Sequence, residues 1–191
     1  MRTLSLTAVA LFCSCMLSIS CKESIAKRVD TIPLEKDTYE IINVCLSQQV
    51  SGESKHMDNL EDKLTTEPYK YRGDNSQIIA GAFHKDEFGY IQQQLNDTTA
   101  FQLHRDSISE AVNLIKVQKT NGIRSFWKVY NKNHTGALIT ISKPVFSKNG
   151  KIAVVSFSSS YGSLSGSGYM LAFEKKTEGW KITKTLYFWI S

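Results

Sequence analysis

Leu138-Ile-Thr-Ile-Ser-Lys-Pro-Val-Phe146, Lys151-Ile-Ala-Val-Val-Ser-Phe-Ser-Ser159, Tyr169-Met-Leu-Ala-Phe173 and Trp180-Lys-Ile-Thr-Lys-Thr-Leu-Tyr-Phe-Trp-Ile190 are four apolar runs in the last third of a 191-residue chain. Ser147-Lys-Asn-Gly150, a Ser/Gly loop and Lys175-Lys-Thr-Glu-Gly179 separate them. β-Branched and aromatic runs between turn-forming clusters indicate strands, so the expectation is a four-stranded antiparallel meander. Asn149-Gly150 at a two-residue turn is a strong hairpin signal, and Glu178-Gly179 is a weaker one. In the last run Trp180, Ile182, Leu186, Phe188 and Ile190 share one face by period 2, interrupted only by Lys184. That face is expected to pack against helices, so truncating Trp180 or Phe188 to Ala should cost about 3–5 kcal/mol. Tyr187 and Trp189 fall on the other, more polar face.

Upstream, Tyr39, Ile42, Cys45 and Leu46 recur at helical spacing, with Glu35, Lys36, Asn43 and Gln48 pointing away. This predicts an amphipathic helix fading near Ser51-Gly52. Residues 52–67 are polar and predict a surface loop with at most a short helical turn. Ser76 to Phe83 reads as a short strand, and Phe88, Ile91 and Leu95 as one face of a short helix. Phe101-Gln-Leu-His104 alternates like an edge strand. Asp106 or Ser107 could cap a further helix starting at Ser109, with Ala111, Val112, Leu114 and Ile115 inward. Phe126 to Tyr130 adds an aromatic turn. The fold class is therefore α+β, with N-terminal helices packed on the C-terminal meander in a single domain over 34–191.

The first 20 residues stand apart. Arg2 supplies positive charge, Leu4 to Leu17 is apolar, and Ser18-Ile-Ser-Cys21 is a small-residue exit. The stretch is too short for a spanning helix of about 20 residues, which leaves a signal peptide. Ending at Cys21, it resembles a bacterial lipoprotein signal, in which that cysteine is lipidated and becomes the first residue. It departs from the usual pattern in placing Leu17 one position early, with Ser18 in its place. The alternative is a plain secretory signal cleaved near Ser20, leaving Cys21 a free thiol. Residues 21–33 form a polar tether ending at Pro33, and Lys22-Glu23 resembles the charged tags that send some Bacteroidetes lipoproteins to the cell surface. These features place the chain in the envelope, lipid-anchored to the outer membrane.

Losing residues 1–20 removes Arg2 and no acid, leaving 22 basic residues against 18 acidic, net +4. The basic residues are scattered, which argues against a nucleic-acid footprint. With Cys21 lipidated, Cys45 has no disulfide partner and suits a buried apolar position. No site for chemistry stands out. His56, His84, His104 and His134 lack ligand spacing, and His84 with Asp86 and Glu87 reads as solvated charge. Ser24-Ile-Ala-Lys27 and Ser125-Phe-Trp-Lys128 fit Ser-x-x-Lys without the companion motifs of penicillin-recognising enzymes. Gly162-Ser-Leu-Ser-Gly166 has Leu164 where a nucleophile elbow needs serine. No catalytic, metal or cofactor-binding residue is assigned, and no cofactor is implied. Asp30-Thr-Ile, Asp97-Thr-Thr and Asp106-Ser-Ile resemble O-glycosylation sites of Bacteroidetes exported proteins. Tyr161, Tyr187 and Trp189 could form a recognition surface; the competing reading places Tyr187 and Trp189 in a small second core.

From Phe126 to Ser191 the chain resembles a group of uncharacterised bacterial envelope lipoproteins. The likeness rests on Phe126-Trp127, Ile141 to Val155, Gly162-Ser-Leu-Ser-Gly-Ser-Gly-Tyr169, Gly179-Trp180-Lys-Ile182 and the closing Trp189-Ile-Ser191. It implies helices followed by a curved sheet, similar to cystatin-like or NTF2-like folds, and implies no activity. Ser156, Ser158, Ser159 and Ser160 depart from the more apolar residues of that pattern. The expected function is a non-catalytic binding module with an unknown protein or small-molecule partner. The alternatives are a small hydrolase-like enzyme with a pocket between helices and sheet, and an inhibitor or immunity-type lipoprotein.

Overall fold

The computed structural model describes residues 35–49, 58–70, 75–117 and 122–191. All of them belong to one unit, Thr31–Ser191. The signal segment, Cys21 and the whole tether lie outside the described residues.

The sheet is larger and less regular than a four-stranded meander. Leu138–Ile141 (β5), Val145–Phe146 (β6), Ile152–Gly162 (β7), Ser165–Lys176 (β8) and Gly179–Ile190 (β9) do pair antiparallel in sequence order, with β6 on β7. Two short upstream strands extend it. Asn59–Glu61 (β1) runs parallel to β5 and to Asn113–Ile115 (β4), giving a seven-stranded mixed sheet. Lys63–Leu64 (β2) and Phe101–Gln102 (β3) form a separate two-stranded ribbon, so the edge-strand expectation at Phe101 holds for two residues.

Four segments differ in type from expectation: the described part of the loop expected over 52–67 instead supplies β1 and β2, burying Leu60 and Leu64, and three more follow. Ser76–Ala80 is a helix (α2), not a strand, because buried Ile79 seats it on the sheet. The segment after Ser109 forms strand β4 instead of a helix, its backbone taken up by parallel pairing with β1. Phe126 to Tyr130 lies within an 11-residue helix, Ile123–Asn133 (α4), that buries Trp127 and Tyr130 against Ile115 and Leu138. The helix expected around Phe88 is Phe88–Asn96 (α3), with Ile91 and Leu95 buried but Phe88 half exposed.

Helix Glu35–Gln49 (α1) follows its expected face: Tyr39, Ile42, Cys45 and Leu46 are buried, joined by Ile41. It covers one face of the sheet, packing on Ala153, Val155, Phe157, Leu171, Phe173 and Trp180. The alternate residues of the same strands, Val154, Met170 and Ala172, face a second core under α2 and α3. Polar contacts fasten α1 to the last hairpin. Buried Asp37 accepts hydrogen bonds from Lys175 Nζ at 2.7 Å and Trp180 Nε1 at 3.1 Å. Glu40 accepts from the Trp180 backbone N–H at 2.9 Å. Gly179, at φ +109°, lies so close to Glu40 that a Cβ would displace the carboxylate. Here glycine serves the close approach as well as the turn.

The period-2 reading of β9 holds at its start and fails beyond. Register shifts opposite Met170/Leu171 and Ala172/Phe173 leave Thr183 and Leu186 as extra residues, and Leu186 joins the second core. Trp180 is 1% exposed, whereas Phe188 is 46% and Ile190 70% exposed. Fifteen helical residues span about 22 Å, and twelve strand residues about 40 Å. Helix α1 therefore cannot cover the whole strand, and Phe188 stacks on the Tyr169 ring across the ladder. The hairpins occur where expected with different loops. Ser147 N–H bonds Ile152 O, closing a longer loop around Asn149-Gly150. Lys176 pairs with Gly179, leaving Thr177-Glu178 as the two turn residues.

Candidate functional site

The expected Ser/Gly loop is almost entirely strand. Gly162 pairs with Ser165, so only Ser163 and Leu164 turn, and Leu164 is 85% exposed. The small residues on either side serve packing. A Cβ on Gly166 would come within 2.7 Å of Ser160 Oγ. One on Gly168 would run into the indole of Trp189, its cross-strand partner. An aromatic ring laid over a strand glycine replaces the missing side chain and holds the register.

One row therefore crosses four strands on a single face: Thr140, Ser158, Gly168 and Trp189. One residue further along the β1–β5 register, Glu61 comes beside Thr140. Nearer α2 and α3 the same sheet face is apolar and covered, at Val154 and Met170. Where β7 changes to alternate serines, a groove of about 640 Å³ opens among the described residues. Its size lies within the usual range of ligand sites, about 300–1,000 Å³.

The walls are fixed by hydrogen bonds. Asp62 donates its N–H to Ile115 O, and its carbonyl accepts from Leu103 N–H and Gln102 Nε2. Its side chain is 7% exposed, and Oδ1 has no hydrogen-bond partner. The opposite rim, Thr98 to Ala100, is pinned through Asp97, whose carboxylate accepts from Lys143 Nζ and from Thr99 N–H at 2.9 Å. The Lys143 contact chiefly, then the Thr99 N–H, lowers the Asp97 pKa to about 2. Thr66 Oγ1 donates to Asp97 O at 3.2 Å. Among the described residues, Glu61, Asp62 and Glu67 line the groove with Lys63 and Lys116.

Of the proposed recognition aromatics, the structure brings Trp189 alone to the groove. Tyr161 and Tyr187 are exposed elsewhere. Sequence reading missed Glu61, Asp62 and Thr140, which had no motif to mark them. The available signal was the serine alternation of β7 facing glycines and a tryptophan in later strands.

Other features have structural roles. His84 Nδ1 faces Asp86 Oδ1 at the surface, a contact that lowers the Asp86 pKa. Glu87 accepts from His84 N–H and Lys148 N–H. No group of three metal-ligating side chains occurs among the described residues. Cys45 is buried, and burial pushes its thiol pKa up to about 12. Burial likewise raises the Tyr69 phenol, whose hydroxyl meets Val154 O at 2.6 Å. Ser125 and Lys128 lie on exposed positions of α4, while Ser24 and Asp30 fall outside the described residues. No described helix is long and apolar enough to cross a membrane. Comparison with protein-family models, curated proteins and solved structures finds no match to this chain.

Proposed function

We propose that this protein is a non-catalytic binding module of the bacterial cell envelope, tethered to the outer membrane by a lipid on Cys21, that holds a polar ligand in the groove above β5, β7, β8 and β9. The observation that carries the binding site is the row Thr140–Ser158–Gly168–Trp189, whose side chains at Thr140, Ser158 and Trp189 line the groove. A sheet face normally hides such a surface under an apolar layer, and here hydroxyls replace that layer. A groove with an aromatic side chain and a few convergent polar groups is the usual form of a ligand site. The address rests on the leader ending at Cys21 and the polar segment after it. Kinship with the uncharacterised envelope lipoproteins, and likeness to cystatin-like or NTF2-like folds in setting a helix against a curved sheet, belong to the same proposal.

Two measurements test it. Ala100→Cys places a thiol on the exposed rim, where a maleimide reports occupancy; buried Cys45 stays silent. Envelope extract should slow labelling of Ala100→Cys, and unchanged labelling would remove the groove from the account. Cys21→Ala should release the chain from membranes, and continued sedimentation with them would remove the anchor.

A further inference from the structure

We infer that the outer face of α4 docks on an anionic lipid bilayer, an inference that rests on the membrane address proposed above. Charge is unevenly placed along the chain. Between Glu110 and Glu174 it has eight Lys and Arg and no Asp or Glu. Three of the eight, Arg124, Lys128 and Lys132, recur at i, i+4 and i+8 on α4, which carries no acidic residue. That spacing puts them along one side of the helix. All three are exposed, and none joins an ion pair or hydrogen bond among the described residues. Lys143, by contrast, is held by Asp97, and Lys148 Nζ donates to Asp86 O.

Folding does not account for this row. Arg124 with Lys128, and Lys128 with Lys132, are like-charge pairs at i, i+4, and each weakens the helix. Arg124 lies in the first turn, where the helix dipole disfavours a cation, and only Lys132 in the last turn gains from it. Trp127 and Tyr130 hold α4 from its inner side, so the cations are not needed to seat it. The same helix exposes Ile123 (55%) and Val129 (38%). Cations beside exposed apolar side chains are what the headgroup boundary of an anionic bilayer takes up.

The anchor selects lipid over other polyanions. The 13 residues from Lys22 to Leu34 reach at most about 45 Å, against a diameter of about 40 Å for a domain of this size. A lipid on Cys21 therefore keeps the bilayer within reach of any face, and charge decides which face settles on it. A nucleic acid offers nothing apolar to Ile123 and Val129, and an acidic protein has no such tether holding it near.

The test uses the full chain reconstituted in vesicles, with a fluorophore on Ser125→Cys, which lies on the exposed side of α4, or on Gly89→Cys in α3 as control; buried Cys45 stays unlabelled. Each cation at an anionic surface is worth about fivefold, so three shift the docked-to-free ratio about a hundredfold. In vesicles with 30% phosphatidylglycerol, headgroup spin-labelled lipid should quench the Ser125→Cys probe and spare Gly89→Cys. Quenching should vanish in pure phosphatidylcholine, in 1 M salt, and on combining Arg124→Gln, Lys128→Gln and Lys132→Gln, with the melting temperature of that variant not lowered. A chain that floats with anionic vesicles while the Ser125→Cys probe stays unquenched overturns the inference and leaves the anchor standing. So does quenching indifferent to the three substitutions. Flotation with anionic vesicles alone, abolished by the substitutions, keeps the contact and removes the anchor; flotation with neither vesicle removes both. Binding of polyglutamate or a DNA oligonucleotide that needs the three cations, without quenching by lipid, overturns the lipid assignment.

Discussion

Trp180 and Phe188 lie eight residues apart on β9 and face the same side, yet their truncations should differ severalfold. Burying a tryptophan removes about 150–250 Å² from water, worth about 4–6 kcal/mol at 25 cal/mol per Å². Trp180 is 1% exposed, under α1, and its Nε1 also donates to Asp37. Measured Trp→Ala and Phe→Ala costs run at about 3–5 kcal/mol, so about 4 kcal/mol is expected for Trp180→Ala. For a chain of this size that lowers Tm by about 8–16 °C. Phe188 lies beyond the reach of α1, is 46% exposed, and packs on the Tyr169 ring. A cross-strand pair contributes up to about 1 kcal/mol, or about 2–4 °C. Far-UV circular dichroism melts of the two variants in parallel decide the matter. Equal shifts would refute the placement of the two bulges and the end of the helix cover.

Replacing Asp37 by Ala leaves the Trp180 indole N–H and Lys175 without their acceptor. A loss of about 1–3 kcal/mol in urea unfolding is expected, with Asp37→Asn recovering part of it; no change would disconnect α1 from the hairpin. Gly168→Val drives a side chain into the Trp189 indole. It should cost about 1–3 kcal/mol and alter tryptophan emission, whereas Gly89→Val, with open space around it, should do neither to the emission. The Asp97 pKa is lowered from 3.8 to about 2, so its contribution is fully present above about pH 4 and is lost as pH falls towards 2. The pair is partly exposed, so the contribution is at most about 1 kcal/mol. Asp97→Asn should flatten that segment of the stability–pH curve, and an unchanged slope would exclude the Lys143 contact. Cys45, with its thiol raised to about 12 by burial, should resist thiol reagents at pH 8 until the chain unfolds; rapid labelling of the native protein would contradict its burial.

What could be read from the chain depended on how much of the local pattern came from one periodic face. Helix α1 has 15 residues and a continuous buried stripe, so its period was plain. Helix α2 has five residues, fewer than two turns, and its adjacent Ile78 and Ile79 favour strand by local preference until packing decides. Strands β1 and β4 have three residues each and lack the hairpin turns that betray antiparallel pairs. Asn59 further disguises β1. It is buried, but as a hydrogen-bond donor to Tyr130 Oη at 2.9 Å and Thr135 O at 2.6 Å. Val112, just before β4, and Ile115, within it, are spaced like a helical pair although Asn113–Ile115 is extended.

The groove was half legible. Trp189 and the serines of β7 drew attention as departures from an apolar sheet. Gly166 and Gly168 suggested a loop, because their value is visible only opposite Ser160 and Trp189. Period-2 reasoning places side chains on faces only while every residue is paired. Each bulge in β9 breaks that count without marking the sequence.

The most direct test of the proposed site is the indole N–H spectrum of the ¹⁵N-labelled chain, which carries three tryptophans. Trp127 and Trp180 are buried in separate cores, and Trp189 lines the groove. Adding envelope extract should shift the Trp189 resonance, assigned by Trp189→Phe, and leave the other two in place. An unmoved Trp189 resonance, with binding detected elsewhere on the protein, would contradict the account.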